Sequence, residues 1–383
     1  MPEAGHVTTP PSTPSTPATR MHVAGASPYD VVVGHGVLGE VARMLGDGPQ
    51  RVAVCYPEPL VRLADKVIAG LDSYDVLRIV LPDGEVAKSG GVALEAWEQL
   101  GAAGFTRSDA VVTVGGGATT DMGGFIAATW LRGVPVVHVP TTLLAMVDAA
   151  VGGKTGMNTG AGKNLVGAFH EPAGVVCDLD LLGTLAEPEL IAGLGEVVKC
   201  GFIADPAILD LVENNPADAL EPRSAELREL VERAIAVKIA VVVDDLLETG
   251  GSGGHPGREA LNYGHTMAHA IEKASGYRIR HGEAVALGMV YVAELARLAG
   301  RTDDALAARH ASALRAVGLP TRFDPASPGA GFDALLATMR VDKKSRGSHL
   351  RFVVLDDLAR PSILTDPSEE HLRAAYEHLV GAR

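Results

Sequence analysis

From residue 29 to about residue 182, short apolar runs alternate with segments of helical period. Residues 30–33, 51–55, 76–81, 110–114 and 135–139 are near-continuous apolar runs rich in valine. Such runs predict strands covered on both faces. Residues 94–100 and 122–129 predict intervening helices, and this alternation predicts a largely parallel sheet with helices on its faces. From about residue 188 the texture changes. Helical runs over 189–202, 224–243, 261–274, 283–299 and 305–317 dominate, and one late apolar run, 350–355, predicts a single returning strand. The chain thus reads as an α/β domain over 26–185 followed by a helical domain over 186–383, with a site in the cleft between them. Residues 1–25 hold a Thr/Pro/Ser run that can bury little, and they predict a disordered tail.

A chain of 383 residues with 47% hydrophobic content has enough material for one large or two ordinary cores. Its net charge of −14 excludes a general nucleic-acid binder, which needs a basic face. An anionic substrate stays open, because local lysines override the global sign. Cys55, Cys177 and Cys200 are scattered and lack CxxC spacing, so no disulfide framework is expected and a reducing cytoplasmic compartment is the simplest reading. Neither an apolar leader nor a run of 18 apolar residues occurs, so no membrane partner is expected.

The glycines of Gly115-Gly116-Gly117-Ala118-Thr119-Thr120-Asp121 follow a predicted strand and precede a predicted helix. Glycine admits a phosphate close to the backbone, and a helix N-terminus offers N–H groups and partial positive charge. The run is not the dinucleotide GxGxxG, and a plain strand-to-helix turn is the alternative. Residues 83–88 and Thr141-Thr142 also follow strands, so three strand ends gather at one sheet edge, the usual place for a nucleotide. Lys154 and Lys163 sit in Gly152-Gly153-Lys154-Thr155-Gly156 and Gly162-Lys163-Asn164, which read as anion-binding loops with Asp148 as polar partner. The P-loop pattern is not met, because Asp148 stands where its first glycine belongs, so Walker-type ATP binding is excluded.

His265 and His269 are four apart and share one helical face, with Asn262 before them and His281 after a short loop. Glu196 and Lys199 share a face of an otherwise apolar helix, where buried charges need partners or a metal. Glu196, His265 and His281 together would give two imidazoles and a carboxylate with an open position, a catalytic rather than a structural zinc arrangement. Capping or core histidines are the plain alternative. Lys238, Arg258, Asn262 and Asp342-Lys343-Lys344 are further polar candidates, and helical spacing lets Arg258, Asn262 and His265 face one way.

Together these segments resemble the 3-dehydroquinate synthases of the sugar-phosphate-cyclase superfamily, over about residues 29–355. The resemblance rests on DGExxK at Asp83, GGGxxxD at Gly115, RGV at Arg132 and PTTLLAxVDAAVGGKTG at Pro140. It continues through GKNLVGAF at Gly162, GEVVK at Gly195, RxxLNYGHTxxHAIE at Arg258, HGEAVxxGM at His281 and DKK at Asp342. It implies an α/β N-terminal Rossmann-like nucleotide-binding domain plus a mostly α-helical C-terminal metal/substrate domain. It places a divalent metal, zinc or cobalt, on Glu196, His265 and His281. It places NAD on Asp83, Gly84, Glu85 and Lys88, on Gly116, Gly117, Ala118, Thr119, Thr120 and Asp121, and on Thr141, Thr142, Lys154, Lys163 and Thr184. The substrate would meet Asp148, Lys154, Asn164, Lys199, Lys238, Arg258, Asn262, His269 and Lys343 or Lys344. Of these, His269, Lys199, Lys154 and Asn164 are the catalytic candidates. Arg132 would reach the neighbouring subunit's substrate phosphate in a homodimer.

The implied reaction converts 3-deoxy-D-arabino-heptulosonate 7-phosphate to 3-dehydroquinate and phosphate, through transient oxidation by NAD, elimination, re-reduction, ring opening and an intramolecular aldol. Aminodehydroquinate synthase, other sugar-phosphate cyclases and iron-type alcohol or glycerol dehydrogenases are the competing readings. Lys238 and the RxxLN before His265 favour the carboxylate-bearing heptulosonate, and Glu196 as a ligand sets the dehydrogenases apart. The chain departs from the family in three places. Asp245-Leu246-Leu247-Glu248 lacks one carboxylate of the usual DExE, the glycine-rich loop before Arg258 is longer than usual, and Cys55-Tyr56-Pro57-Glu58 lacks the frequent Thr-Asn.

Overall fold

The valine-rich runs pair as strands buried between helices. The structure is a computed structural model that describes residues 17–245, 256–326, 329–342 and 349–381. Its first part contains β1 (Thr19–Val23), β2 (Tyr29–Gly34), α1 (Glu40–Leu45), β3 (Arg51–Pro57), α2 (Val61–Ile68) and β4 (Asp75–Leu81). There follow α3 (Gly90–Ala102), β5 (Ala110–Gly115), α4 (Gly117–Thr129), β6 (Val136–Pro140), β7 (Lys154–Thr159), β8 (Gly162–Phe169) and β9 (Gly174–Asp178). Among the described residues, seven of these strands form one sheet in the order β1-β2-β9-β6-β5-β3-β4. All its pairings are parallel except β1 with β2. Every residue of β5, β6 and β9 is buried, which is why these strands read as continuous rather than alternating apolar runs. Parallel pairing of β4, β3, β5 and β6 brings residues 83–88, 116–121 and 141–142 to one sheet edge.

The expected disordered tail needs correction. Residues 1–16 lie outside the described residues, but residues 19–23 form β1, paired along its length with β2. The segment alternates, with Val23 fully buried and Met21 packed on the core, and Thr19 Oγ1 donates to Glu232 at 2.8 Å. The two glycine-rich lysine loops are also not loops. They are β7 and β8, an antiparallel hairpin of its own with Lys154 opposite Phe169.

The second part contains α5 (Glu187–Ile203), α6 (Ala207–Asn214), α7 (Ala225–Asp244), α8 (His265–Ala274), α9 (His281–Leu298), α10 (Asp304–Ala316) and α11 (Phe332–Asp342). It ends in β10 (Arg351–Asp357), β11 (Arg360–Thr365) and α12 (Glu369–Val380). The single returning strand is therefore a hairpin, and it forms a separate two-stranded sheet. β11 carries Pro361 and Ser362, which dilute its strand signal. The expected helix over 261–274 is broken. A 3-10 segment, Gly257–Asn262, stops at Gly264, whose left-handed φ of 78° precedes α8. Among the described residues no helix is long and apolar enough to cross a membrane.

Two backbone contacts join these helices. Gly195 on α5 abuts Gly282 on α9 so closely that a Cβ on Gly195 would lie 2.5 Å from the Gly282 carbonyl oxygen. A Cβ on Gly282 would strike the Ala192 carbonyl, and one on Gly288 would strike the Gly264 carbonyl. We expect Gly282→Ala to destabilise the metal-free protein by about 1–3 kcal/mol or more, since overpacking forces a backbone shift. Gly183→Ala, with open space around it, should stay within about 0.5 kcal/mol. Urea unfolding of both variants checks the contrast.

Candidate active site

Each predicted metal ligand sits beside one of these close contacts. Glu196 follows Gly195, His281 precedes Gly282, and His265 follows Gly264. The crossings bring one potential donor atom from each of Glu196, His265 and His281 within 4.8 Å of one another. Nε2 of His265 and Nε2 of His281 each lie 3.5 Å from Glu196 Oε1. That oxygen is buried without a hydrogen-bond partner. A buried carboxylate oxygen facing two imidazole nitrogens fits a divalent cation, and tetrahedral ligands at about 2.0–2.2 Å stand roughly 3.3–3.5 Å apart.

The far side of each imidazole is held. His265 Nδ1 faces the Tyr263 carbonyl oxygen at 3.1 Å, and His281 Nδ1 faces Glu272 Oε2 at 3.3 Å. When neutral with N–H on Nδ1, each ring would present Nε2 as a lone pair. Tyr263 is itself pinned, its hydroxyl lying 2.7 Å from His310 Nε2, while His310 Nδ1 meets the Leu306 carbonyl oxygen at 2.8 Å. His310 stacks on Phe202 of α5, with ring centroids 3.7 Å apart. Burial lowers His310 to about 4, so a neutral ring can accept from the tyrosine.

Lys199 donates to Glu196 Oε2, and both side chains are almost fully buried. Burial alone would raise the Glu196 carboxyl, but Lys199 and the two imidazoles hold it well below its ordinary value. Burial works to lower the Lys199 ammonium, but Glu196 and Asp148 raise it. Burial, then Lys199, lowers His265 to about 3. His281 moves the other way. Burial opposes its charge, yet contacts with Glu196 and Glu272 push it up to about 10.

These groups open onto a cavity of about 560 Å³. Its walls bring together Asp121, Asp148, Lys154, Asn164, Lys199, Lys238, Arg258, Asn262, His265, His269 and His281. Asn262 and His265 thus reach one site, although an interruption at Tyr263–Gly264 rather than a continuous helix joins them. Asp148 stands on a π-helical turn, Ala145–Ala149, a local irregularity common at functional sites and silent in the sequence pattern. Lys238 donates to Asp148, and this partner, against the effect of burial, holds Asp148 at about 2. Arg258 is 1% exposed, with its backbone N–H donating to Asp245 Oδ2 at 3.2 Å and its guanidinium to the Gly152 carbonyl at 3.1 Å. Asp245 thus anchors Arg258 where the DExE pattern departs from the family's.

The strand-end residues adjoin this cavity. Lys88 donates to Asp121 Oδ2 at 2.5 Å and to Asn164 Oδ1. Gly116 caps α4, with Gly117, Ala118, Thr119, Thr120 and Asp121 in its first turns, and a Cβ on Gly116 would lie 3.2 Å from Thr142 Cγ2. Thr141 donates its N–H to the Gly115 carbonyl at 3.0 Å. Asp83 and Gly84 open the 3-10 turn after β4, and Glu85 on that turn accepts from Asn158 Nδ2 at 2.7 Å. Thr184 does not line the cavity, and its hydroxyl donates to the Leu181 carbonyl at 2.7 Å. Arg132 is exposed and also outside the cavity wall, with a φ of 71°. Lys343 and Lys344 lie outside the described residues. The sequence reading assigned no role to Glu272, although its place three residues after His269 gave a signal of shared helical face.

Residues 78–192 match the family model described as 3-dehydroquinate synthase N-terminal, and residues 193–345 match the one described as 3-dehydroquinate synthase C-terminal. A 3-dehydroquinate synthase of Thermobifida fusca is 58% identical over 95% of this chain and 97% of its own. The chain is also similar to a 2-epi-5-epi-valiolone synthase of Streptomyces hygroscopicus solved with NAD+ and Zn2+, at 25% identity and TM-score 0.82, covering 93% of this chain and 97% of the other. A 2-deoxy-scyllo-inosose synthase complexed with carbaglucose-6-phosphate, NAD+ and Co2+ shares the fold at 24% identity and TM-score 0.81, over 94% of this chain and all of the other.

The pushed-up His281 gives a signed prediction. Below about pH 10 its imidazole holds a proton that an incoming cation must displace, whereas His265, lowered to about 3, holds none at neutral pH. Cation affinity of the stripped protein should therefore rise roughly tenfold per pH unit through the neutral and mildly alkaline range. Calorimetric titration with zinc in buffers of different ionisation heat should find about one proton released per ion. Release of none contradicts the assignment.

Proposed function

The chain belongs to the 3-dehydroquinate synthase family, and we infer that it converts 3-deoxy-D-arabino-heptulosonate 7-phosphate to 3-dehydroquinate and phosphate. The carrying observation is the partnerless Glu196 oxygen between two imidazoles, beside a cavity walled by Lys154, Lys199, Lys238 and Arg258. We propose Glu196, His265 and His281 as the ligands of zinc or cobalt, and the edge after β4, β5 and β6, with Lys154 and Lys163, as the NAD site. The cation would polarise a substrate hydroxyl, and NAD would take a hydride and return it.

The chain's own residues account for the rest of the chemistry. Lys154, Lys199 and Lys238 offer ammonium groups for the substrate's phosphate and carboxylate. Arg258, braced by Gly152 and Asp245, offers a fixed guanidinium, the geometry suited to a bidentate anion. Preorganised charge of this kind lowers barriers without reorganisation during reaction. His269 stands exposed on the cavity side of α8, its ring centroid 5.6 Å from that of His265. An imidazole so placed can carry a proton between substrate and cavity. Asn164 receives Lys88 and is set by a φ of 54° on the hairpin that walls the cavity. Leu165 and Phe169 of the same hairpin give the wall an apolar part.

Arg132 supports a homodimer reading. It sits exposed on a turn where Leu131, Arg132 and Gly133 all have positive φ, a strained projection that would serve a neighbouring copy. Three buried free cysteines fit a reducing cytoplasm.

Inorganic phosphate should be released from the heptulosonate phosphate in the presence of NAD without net NADH. Release only from another sugar phosphate would transfer the chain to a related cyclase, and accumulating NADH would make it a dehydrogenase. Chelation should abolish turnover and zinc or cobalt should restore it. His265→Ala should lose bound metal together with rate, whereas His269→Ala should keep metal and lose rate by about 10²–10⁴-fold, the usual worth of a general acid or base. Metal content measured beside turnover separates the two roles.

A further inference from the structure

We propose that Glu272 is a positioning residue that couples the cation site to the nucleotide site, an inference resting on the reading that zinc or cobalt and NAD bind as assigned above. Glu272 lies one heptad after His265 and three residues after His269, so α8 carries all three toward one side. The residue is 5% exposed, and its carboxylate is divided between two tasks. Oε2 meets His281 Nδ1 at 3.3 Å, and Oε1 lies 3.5 Å from Lys163 Nζ. Lys163 belongs to β8, the cavity hairpin. Its ammonium is 3.8 Å from Glu85 Oε1 and 4.1 Å from the Tyr277 ring centroid. A continuous run of contacts thus links Glu85 on the turn after β4 to Lys163, Glu272 and the cation ligand His281.

The spacing along this run gives the coupling a sign. Lys163 is shared between two carboxylates at 3.5 and 3.8 Å, longer than the roughly 2.7–2.9 Å of a tight charged pair, so a nucleotide phosphate can draw it away at small cost. While Lys163 stays near, its charge weakens Glu272 as an acceptor. Once it turns to the phosphate, the full carboxylate acts on His281 Nδ1–H and strengthens Nε2 as a donor to the cation. NAD should then tighten cation binding, and the cation should tighten NAD by the same factor.

Cobalt affinity of the metal-stripped full chain, measured by chelator competition with and without NAD, tests this. In the wild type, NAD should tighten cobalt by about fivefold or more. Glu272→Ala should weaken cobalt by about 10–100-fold, as loss of such an outer partner does, and abolish the effect of NAD. Glu272→Gln keeps an acceptor for His281 but no charge toward Lys163, so it should recover much of the affinity and none of the coupling. Lys163→Met should bind cobalt without NAD as tightly as the wild type does with it. Should the alanine variant fail to fold, the glutamine and methionine variants decide. Wild-type cobalt affinity in Glu272→Ala, or no effect of NAD on the wild type, overturns the proposal. If the wild type binds no stoichiometric cobalt, the metal assignment itself fails instead.

Discussion

A charged carboxylate held almost entirely out of water is the demand around which the helical layer is arranged. Taking Glu196 into the interior costs several kcal/mol, and only close, oriented partners offset that cost. Lys199 on the same helix supplies one, and the imidazoles of His265 and His281 face the other oxygen. Bringing both histidines onto Glu196 takes close packing of α9 against both α5 and α8. The Gly195–Gly282 and Gly264–Gly288 contacts provide it, and Glu196, His265 and His281 are each a chain neighbour of one of these glycines. The same glycines that shape the packing therefore set how Glu196, His265 and His281 converge. A side chain added at either crossing would disturb the fold and the site together.

The cavity satisfies a similar demand by pairing. A chain of net charge −14 surrounds this space with cations, and several already hold an anion. Lys238 holds Asp148, Lys199 holds Glu196, and Lys88 holds Asp121 with Asn164. These pairings fix the ammonium groups before any substrate arrives and reduce the cost of keeping them buried. A phosphate or carboxylate can then enter an array that is set in place, with no need to gather flexible lysines from solvent.

Much of this was legible in the sequence, for reasons that differ by element. The strands of the sheet announced themselves because burial on both faces leaves continuous valine runs, as in residues 110–114. Glu196, His265 and His281 were legible from residue type and from the family motifs around them. The β7–β8 hairpin was not, because glycine and lysine carry little strand propensity and its pairing is made by the main chain. β1 was masked by the Thr/Pro/Ser run before it, although it needs only Met21 and Val23 to dock on the core. The break at Asn262–Gly264 was hidden because the polar spacing from Arg258 to His269 fits a helix. Only the positive φ of Gly264 reveals that α8 begins later.

Glu272 closes the RxxLNYGHTxxHAIE motif, yet the motif alone gives it no role. On a helix face beside two histidines it resembles a solvated charge, and its distance in sequence from Lys163 and His281 conceals that it touches both. The sheet side contributes the β7–β8 hairpin and the helical side contributes α8 and α9, so the contact exists only once both are folded against each other. A reaction that removes and later returns a hydride would need its cation and its nucleotide bound together. With the cation site and the nucleotide site linked through Glu272 as proposed, each occupancy would favour the other.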